Sequence, residues 1–212
     1  MDETRIEQNK QTYLSICRQL INREGIENLL AYLEEKTDFF TAPSSSKFHL
    51  NEPGGLCLHS LNVFHLAQKL HAQVVDTIED ETLKEKAQKI TAENIAISAL
   101  FYDLCKTNLY KPVERYKKDN AGRWVTYPGY ELDDQLPIGH GEKSCLIVHR
   151  FMKLYKEELL AIRWHMGMFD MGEQSAPMRS SFYKALDQSP LTAIIHAADF
   201  LTSNCLEVTT TY

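Results

Sequence analysis

No stretch of the chain approaches the ~20 consecutive apolar residues that a membrane-spanning helix needs, and the opening "MDETRIEQNKQTYL" has no apolar segment of the kind a secretory leader carries. The expectation is a soluble, unexported, cytoplasmic protein with no membrane partner. Cysteine is too sparse and irregular to staple a fold: Cys17, Cys57, Cys105, Cys145 and Cys205 are odd in number, scattered, and nowhere spaced CxxC. That argues against a disulfide framework and a zinc knuckle and leaves reduced thiols packed in a core. Positive charge is also short, with 23 Lys+Arg against 29 Asp+Glu and a formal net charge of -6. Such a balance offers no basic face for long nucleic acid, so any nucleotide bound would be small. The chain contains neither a GxSxG nucleophile elbow nor a Walker-type glycine loop, which removes support for serine-nucleophile and P-loop chemistry.

What is present is helical periodicity. Apolar residues recur at helix spacing around Ile26, Leu29, Leu30 and Leu33, around Leu56, Leu61 and Leu70, and around Ile95, Leu100 and Leu104. The pattern continues through Leu146, Ile147, Phe151 and Leu154, then Leu159, Leu160 and Ile162, then Leu191, Ile194, Ile195 and Leu201. With 43% hydrophobic and 25% charged residues, the 212 residues fit one domain spanning 1-212, opening with helices over 1-40. Thr91 is placed to cap "AENIAISALFYDL", "TAPSSSKFHLNEPGG" (41-55) reads as a loop, and Gly167 is expected to end the helix holding "ELLAIRWH". "YKPVERYKKDNAGRWVTYPGYELDD" breaks the helical pattern, since β-favouring residues flank the turn sequence "DNAG"; it predicts a β-hairpin over about 110-131. The polar tail over 207-212 is expected to be frayed or weakly docked.

An apolar helical core has little reason to hold acids and imidazoles, so the informative residues are the ones that break this rule. They are His59 after "GGLCL", Asp103 at the end of an apolar helix, His140 in "PIGHGEKS", His165 closing "AIRWH", and Asp199 within "AIIHAADFLTS". Taken singly, each is an ordinary hydrogen-bonded helical residue. Together, three imidazoles and two carboxylates from separate helices make a mixed N/O set that suits Mn, Fe, Co, Ni or Zn, and helical bundles can gather such ligands inside.

In this order the motifs "PGGLCLHSLNV", "ALFYDLCK", "GHGEKS", "RWHMG" and "HAADF" resemble the HD-domain metal-dependent phosphohydrolase superfamily, over roughly residues 50-206. The resemblance implies an all-α, HD-domain-like helical bundle carrying the hairpin as an insertion. It implies one or two divalent ions, Mg included among the choices. His59 would be the first metal ligand, Asp103 the central one, His140 and His165 the holders of a second metal, and Asp199 the residue closing the first site. Asp103 and Lys106 would be the catalytic pair, with Lys106 facing a substrate phosphate. The implied reaction is hydrolysis of a small phosphorylated metabolite, of nucleotide type, by metal-activated water.

One position departs from the family. Tyr102 stands where the His of the His-Asp pair is expected, and a phenol with an ordinary pKa near ~10 is a poor ligand at neutral pH. Three outcomes are open: metal held through Asp103, His140 and His165 with the first site empty; both sites filled with water replacing the missing imidazole; or lost catalysis, leaving a ligand-binding or sensor protein. Relatives sharing the motif order include di-iron oxygenases, against which Tyr102 counts because that chemistry needs a full ligand set at both irons.

Around this set, His196 lies three residues before Asp199 on one helix face, either supporting a ligand or sitting as a satisfied core histidine. Glu142 reads as a helix-start acid or a proton shuttle, and Arg163 as a surface ion pair or a phosphate contact. His49, His65, His71 and His149 are assigned structural or exposed roles. Arg115, Tyr116, Lys117, Lys118, Arg123 and Trp124 make the hairpin a candidate lid for a nucleotide, or else a solvated ribbon. Nothing in the sequence sets the oligomeric state.

Overall fold

The computed structural model describes residues 1-170 and 176-207. Among the described residues there are nine α-helices: α1 (Glu3–Leu20), α2 (Ile26–Lys36), α3 (Gly55–Thr77), α4 (Glu81–Gln88), α5 (Ala92–Phe101), α6 (His140–His149), α7 (Lys156–Arg163), α8 (Ala176–Gln188) and α9 (Pro190–Leu201). Two strands, β1 (Tyr110–Lys118) and β2 (Trp124–Leu132), pair antiparallel from Tyr110↔Leu132 to Lys118↔Trp124. The protein is thus mainly helical with one inserted hairpin, as the periodicity predicts. No described helix is long and apolar enough to cross a membrane.

Helix α5 is the axis of the fold. Thr91 caps it with a full capping box, its hydroxyl accepting from Asn94 N while the Asn94 side chain accepts from Thr91 N. Every residue from Ile95 to Phe101 is buried, so the helix is apolar all round rather than striped. Each fully buried Leu, Ile or Phe contributes about 1.5-3 kcal/mol, and the cluster they join takes in side chains from α1, α2, α3, α6, α7 and α9. Tyr13 on α1 donates to the Leu100 carbonyl across 2.8 Å, which ties the two helices inside this core. The consequence for function is positional: whatever follows Phe101 is delivered into the interior.

Two glycines let chain segments approach where a side chain could not fit. A Cβ on Gly55, at the start of α3, would lie 2.2 Å from the Leu50 carbonyl, so the loop before α3 folds flat against that helix. A Cβ on Gly141 would lie 2.2 Å from the Arg163 carbonyl, so the start of α6 abuts the end of α7. These contacts bring "FHL" beside His59 and "GHG" beside "RWH".

Two expectations are refined. Helix α7 stops at Arg163 rather than running to Gly167, because the His165 ring bonds the Ile162 carbonyl at 2.7 Å and the chain turns before Gly167, which sits at φ +58°. The polar tail is ordered at its first residue: α9 continues as a π-helical turn over Thr202–Leu206, and Glu207 after it is buried. Residues 208-212 of the expected tail lie outside the described residues.

Candidate metal centre

Asp103 follows the buried helix α5 and is 1% exposed, so its carboxylate must find partners inside the protein. It finds four. Lys106, one short turn later, places Nζ 2.7 Å from Oδ2; His140 Nε2 lies 3.2 Å and His165 Nε2 3.6 Å from Oδ1; His59 Nε2 lies 3.9 Å from Oδ2. The Lys106 contact is Coulombic more than directional, since Oδ2 receives no well-aligned hydrogen bond. Burial works against ionisation of Asp103, yet Lys106 and the His140 and His165 imidazoles hold its carboxyl well below the usual carboxylate range.

His165 is fully buried, with its ring held at one nitrogen and its backbone carbonyl held as well. Its Nδ1 bonds the Ile162 carbonyl, and His196 Nδ1 bonds the His165 carbonyl at 2.6 Å. Among the described residues its Nε2 has no hydrogen-bond partner, and Asp103 Oδ1 lies 3.6 Å away. A buried ring nitrogen left without a partner costs about 1-3 kcal/mol unless something fills the gap. His140 opens α6 through Gly139 at φ +101° and presents Nε2 to the same carboxylate. Asp103, His140 and His165 bring ligand atoms within 4.8 Å of one another, and the group can hold a metal ion.

On the other side of Asp103 the remaining residues have closed on each other. His59, fully buried on α3, bonds Asp199 Oδ1 through Nε2 at 3.1 Å and Glu207 Oε2 through Nδ1 at 2.7 Å. Burial alone would depress its pKa, but these two carboxylates outweigh it and push it up to about 9. Tyr102 donates its hydroxyl to Asp199 Oδ1 at 3.2 Å, and burial together with Asp199 and Asp103 pushes the phenol well above its usual range, so it is a donor and not a ligand. Ser203 donates to the same oxygen at 3.4 Å. A second group of three that can hold a metal consists of His49, His59 and Glu207; Asp199 belongs to neither group. Tyr102→Phe removes one donor and leaves Asp199 its bonds to His59 and Ser203, so a loss of about 1 kcal/mol is expected, read as a melting temperature lower by a few degrees.

His49 and Glu207 were not among the residues the sequence singled out. The ring of His49 packs 4.6 Å from that of His59 at the cavity wall. Burial, with the charges of His59 and Lys106, pushes its pKa down to about 4. Glu207 also accepts from Asn62 Nδ2 at 2.8 Å, which fixes both of its oxygens. The sequence offered no signal for either residue beyond its donor type.

A cavity of about 620 Å³ opens over the site, reached past Lys106, His140, His165 and Asp199, with Phe48, Phe169 and Phe200 in its wall. Glu142 and Arg163 pair with each other at 2.6 Å, joining α6 to α7. None of the six basic and aromatic hairpin residues lines the cavity; Lys117 and Lys118 lie over Tyr127 and Trp124 of the hairpin itself. No family model, curated protein or solved structure matches the chain at a significant level.

Proposed function

We propose that the protein is a divergent HD-type phosphohydrolase that holds a divalent metal on Asp103, His140 and His165 and cleaves a small phosphorylated metabolite of the nucleotide class. The observation that carries this reading is the fully buried His165 ring, whose Nε2 has no hydrogen-bond partner beside a carboxylate it shares with His140. Two imidazoles and a carboxylate suit Mn, Fe, Co, Ni or Zn better than Mg. Such an ion, when bound, supplies a Lewis acid for phosphoryl oxygens and lowers the pKa of a water toward neutrality.

The chain's own residues account for the rest. Asp103 orients both imidazoles and neutralises the cation. Lys106 has its ammonium anchored by Asp103 and facing the cavity, where it meets a phosphate oxygen as a point charge. Phe48, Phe169 and Phe200 offer apolar surface for the organic part of the substrate.

A second reading is favoured by one observation: the Tyr102 hydroxyl and His59 both occupy Asp199 Oδ1, which leaves that carboxylate committed. A ligand-binding protein without turnover would tolerate such a closed half. The two readings separate on protein purified without affinity metal, stripped by chelator, and resupplied with Mn, Co, Ni, Zn or Mg against a panel of nucleoside monophosphates. Metal-dependent phosphate release, abolished by chelator and about 10²-10³-fold weaker in Lys106→Gln, is expected. Bound metal with nucleotide binding but no release would favour the binding protein, and absence of metal under every condition would overturn the hydrolase reading and leave only the binding protein.

A further inference from the structure

We propose that His49, His59 and Glu207 form a second site for a divalent first-row transition ion, distinct from the Asp103, His140 and His165 set. Their three donor atoms lie within 4.8 Å of one another and come from three unconnected segments: the loop before α3, α3 itself, and the turn after α9. Two imidazoles and one carboxylate are a donor set that binds Mn, Fe, Co, Ni or Zn and leaves coordination positions for other ligands. The site is independent of the hydrolase reading, which uses other residues.

One observation points to a ligand here beyond the hydrogen bonds that His59 and Glu207 already make, and two show how those residues are held. His49 Nε2 is buried and has no hydrogen-bond partner, although the ring stacks 4.6 Å from His59 with Glu207 beside it. His59 is held from behind by Asp199, which takes its Nε2 and leaves Nδ1 directed at Glu207. A carboxylate on one ring nitrogen is the kind of partner that fixes a metal-binding imidazole, and an ion here would take the place of the Nδ1–Glu207 contact. Glu207 is fixed in the same way by Asn62.

The chain also adopts unusual local geometry to assemble the set. Leu50, directly after His49, takes a left-handed conformation at φ +44°, which non-glycine residues avoid unless their surroundings impose it. The π-helical turn at Thr202–Leu206, a rare form that is frequent at functional sites, carries Glu207 beneath His59. His49 and Glu207 both line the cavity, so an ion has a path to them. His49 thereby returns to the neighbourhood of His59 an imidazole that position 102 lacks.

The test is a count of Co²⁺ bound by chelator-stripped protein in equilibrium dialysis, with the visible Co²⁺ band recorded for each variant. Two equivalents are expected for the wild type, one for His49→Ala, one for Glu207→Gln, one for Asp103→Ala, and none for Asp103→Ala combined with Glu207→Gln. Glu207→Gln keeps the side-chain shape and His49→Ala alters only a loop, so either alone decides the matter if the other fails to fold. Unchanged stoichiometry in both, or a single wild-type equivalent lost entirely with Asp103→Ala, would overturn this site and leave the Asp103 site standing. A single equivalent that survives Asp103→Ala but disappears in Glu207→Gln would support this site while refuting the other.

Discussion

Asp103→Ala is expected to abolish metal-dependent phosphate release, with kcat/KM lower by about 10³-fold or more, because several kcal/mol of transition-state stabilisation pass through the ion it helps to hold. Asp199, also at the cavity, is already committed to His59, Tyr102 and Ser203. His140 and His165 approach Asp103 only at Oδ1, and Lys106 is anchored only by its Oδ2. Removing it leaves two imidazoles and an ammonium without the one carboxylate that all three approach. Asp103→Asn separates size from charge: it keeps the shape but cannot supply an anionic ligand, so its activity should fall nearly as far. Elemental analysis alongside the rate distinguishes the causes. Loss of one metal equivalent together with activity is the expected result, whereas full activity in Asp103→Ala would remove Asp103 from the site.

The largest expected effect on stability lies away from the cavity, at Glu158. This residue on α7 is fully buried, with Oε2 2.6 Å from Arg23 Nη1 and accepting from Tyr155 N at 2.8 Å, while Oε1 accepts from Asn94 on α5 at 2.8 Å. Arg23 also pairs with Glu93 at 3.0 Å and lies over the Tyr155 ring. One carboxylate therefore locks α5, which delivers Asp103, to α7, which delivers His165. Glu158→Ala leaves the Asn94 amide and the Tyr155 N–H without that partner and Arg23 with Glu93 and the Lys153 carbonyl; a loss of about 2-4 kcal/mol follows, or roughly 4-16 °C in melting temperature. Thermal melts of Glu158→Ala and Glu158→Gln check it. The glutamine keeps the neutral hydrogen bonds and should lose less, and equal stability of wild type and alanine variant would contradict the account.

The comparison of sequence with structure divides along physical lines. Helix α5 and its cap were legible because a run of apolar residues after a capping threonine has one cheap solution, and the hairpin because β-favouring residues flank a turn. The convergence of Asp103, His140 and His165 was legible as a set of residue types that an apolar core does not otherwise accommodate. Glu158 was not, since "KEELL" reads as a solvated helix start and its burial depends on an arginine 135 positions away. His49 depends on a loop folding against Gly55, and Glu207 on a π-helical turn; neither leaves a periodic trace in the sequence. The hairpin, read as a lid or else a solvated ribbon, has Lys117 and Lys118 over its own rings and none of its six basic and aromatic residues in the cavity wall.

The central claim is that Asp103, His140 and His165 hold a divalent ion, and anomalous diffraction at the zinc edge from crystals grown with Zn²⁺ tests it most directly. The account predicts a peak roughly 2.0-2.2 Å from the Asp103 carboxylate and from Nε2 of both His140 and His165. Density without a peak there, in crystals that carry zinc elsewhere in the chain, would contradict it.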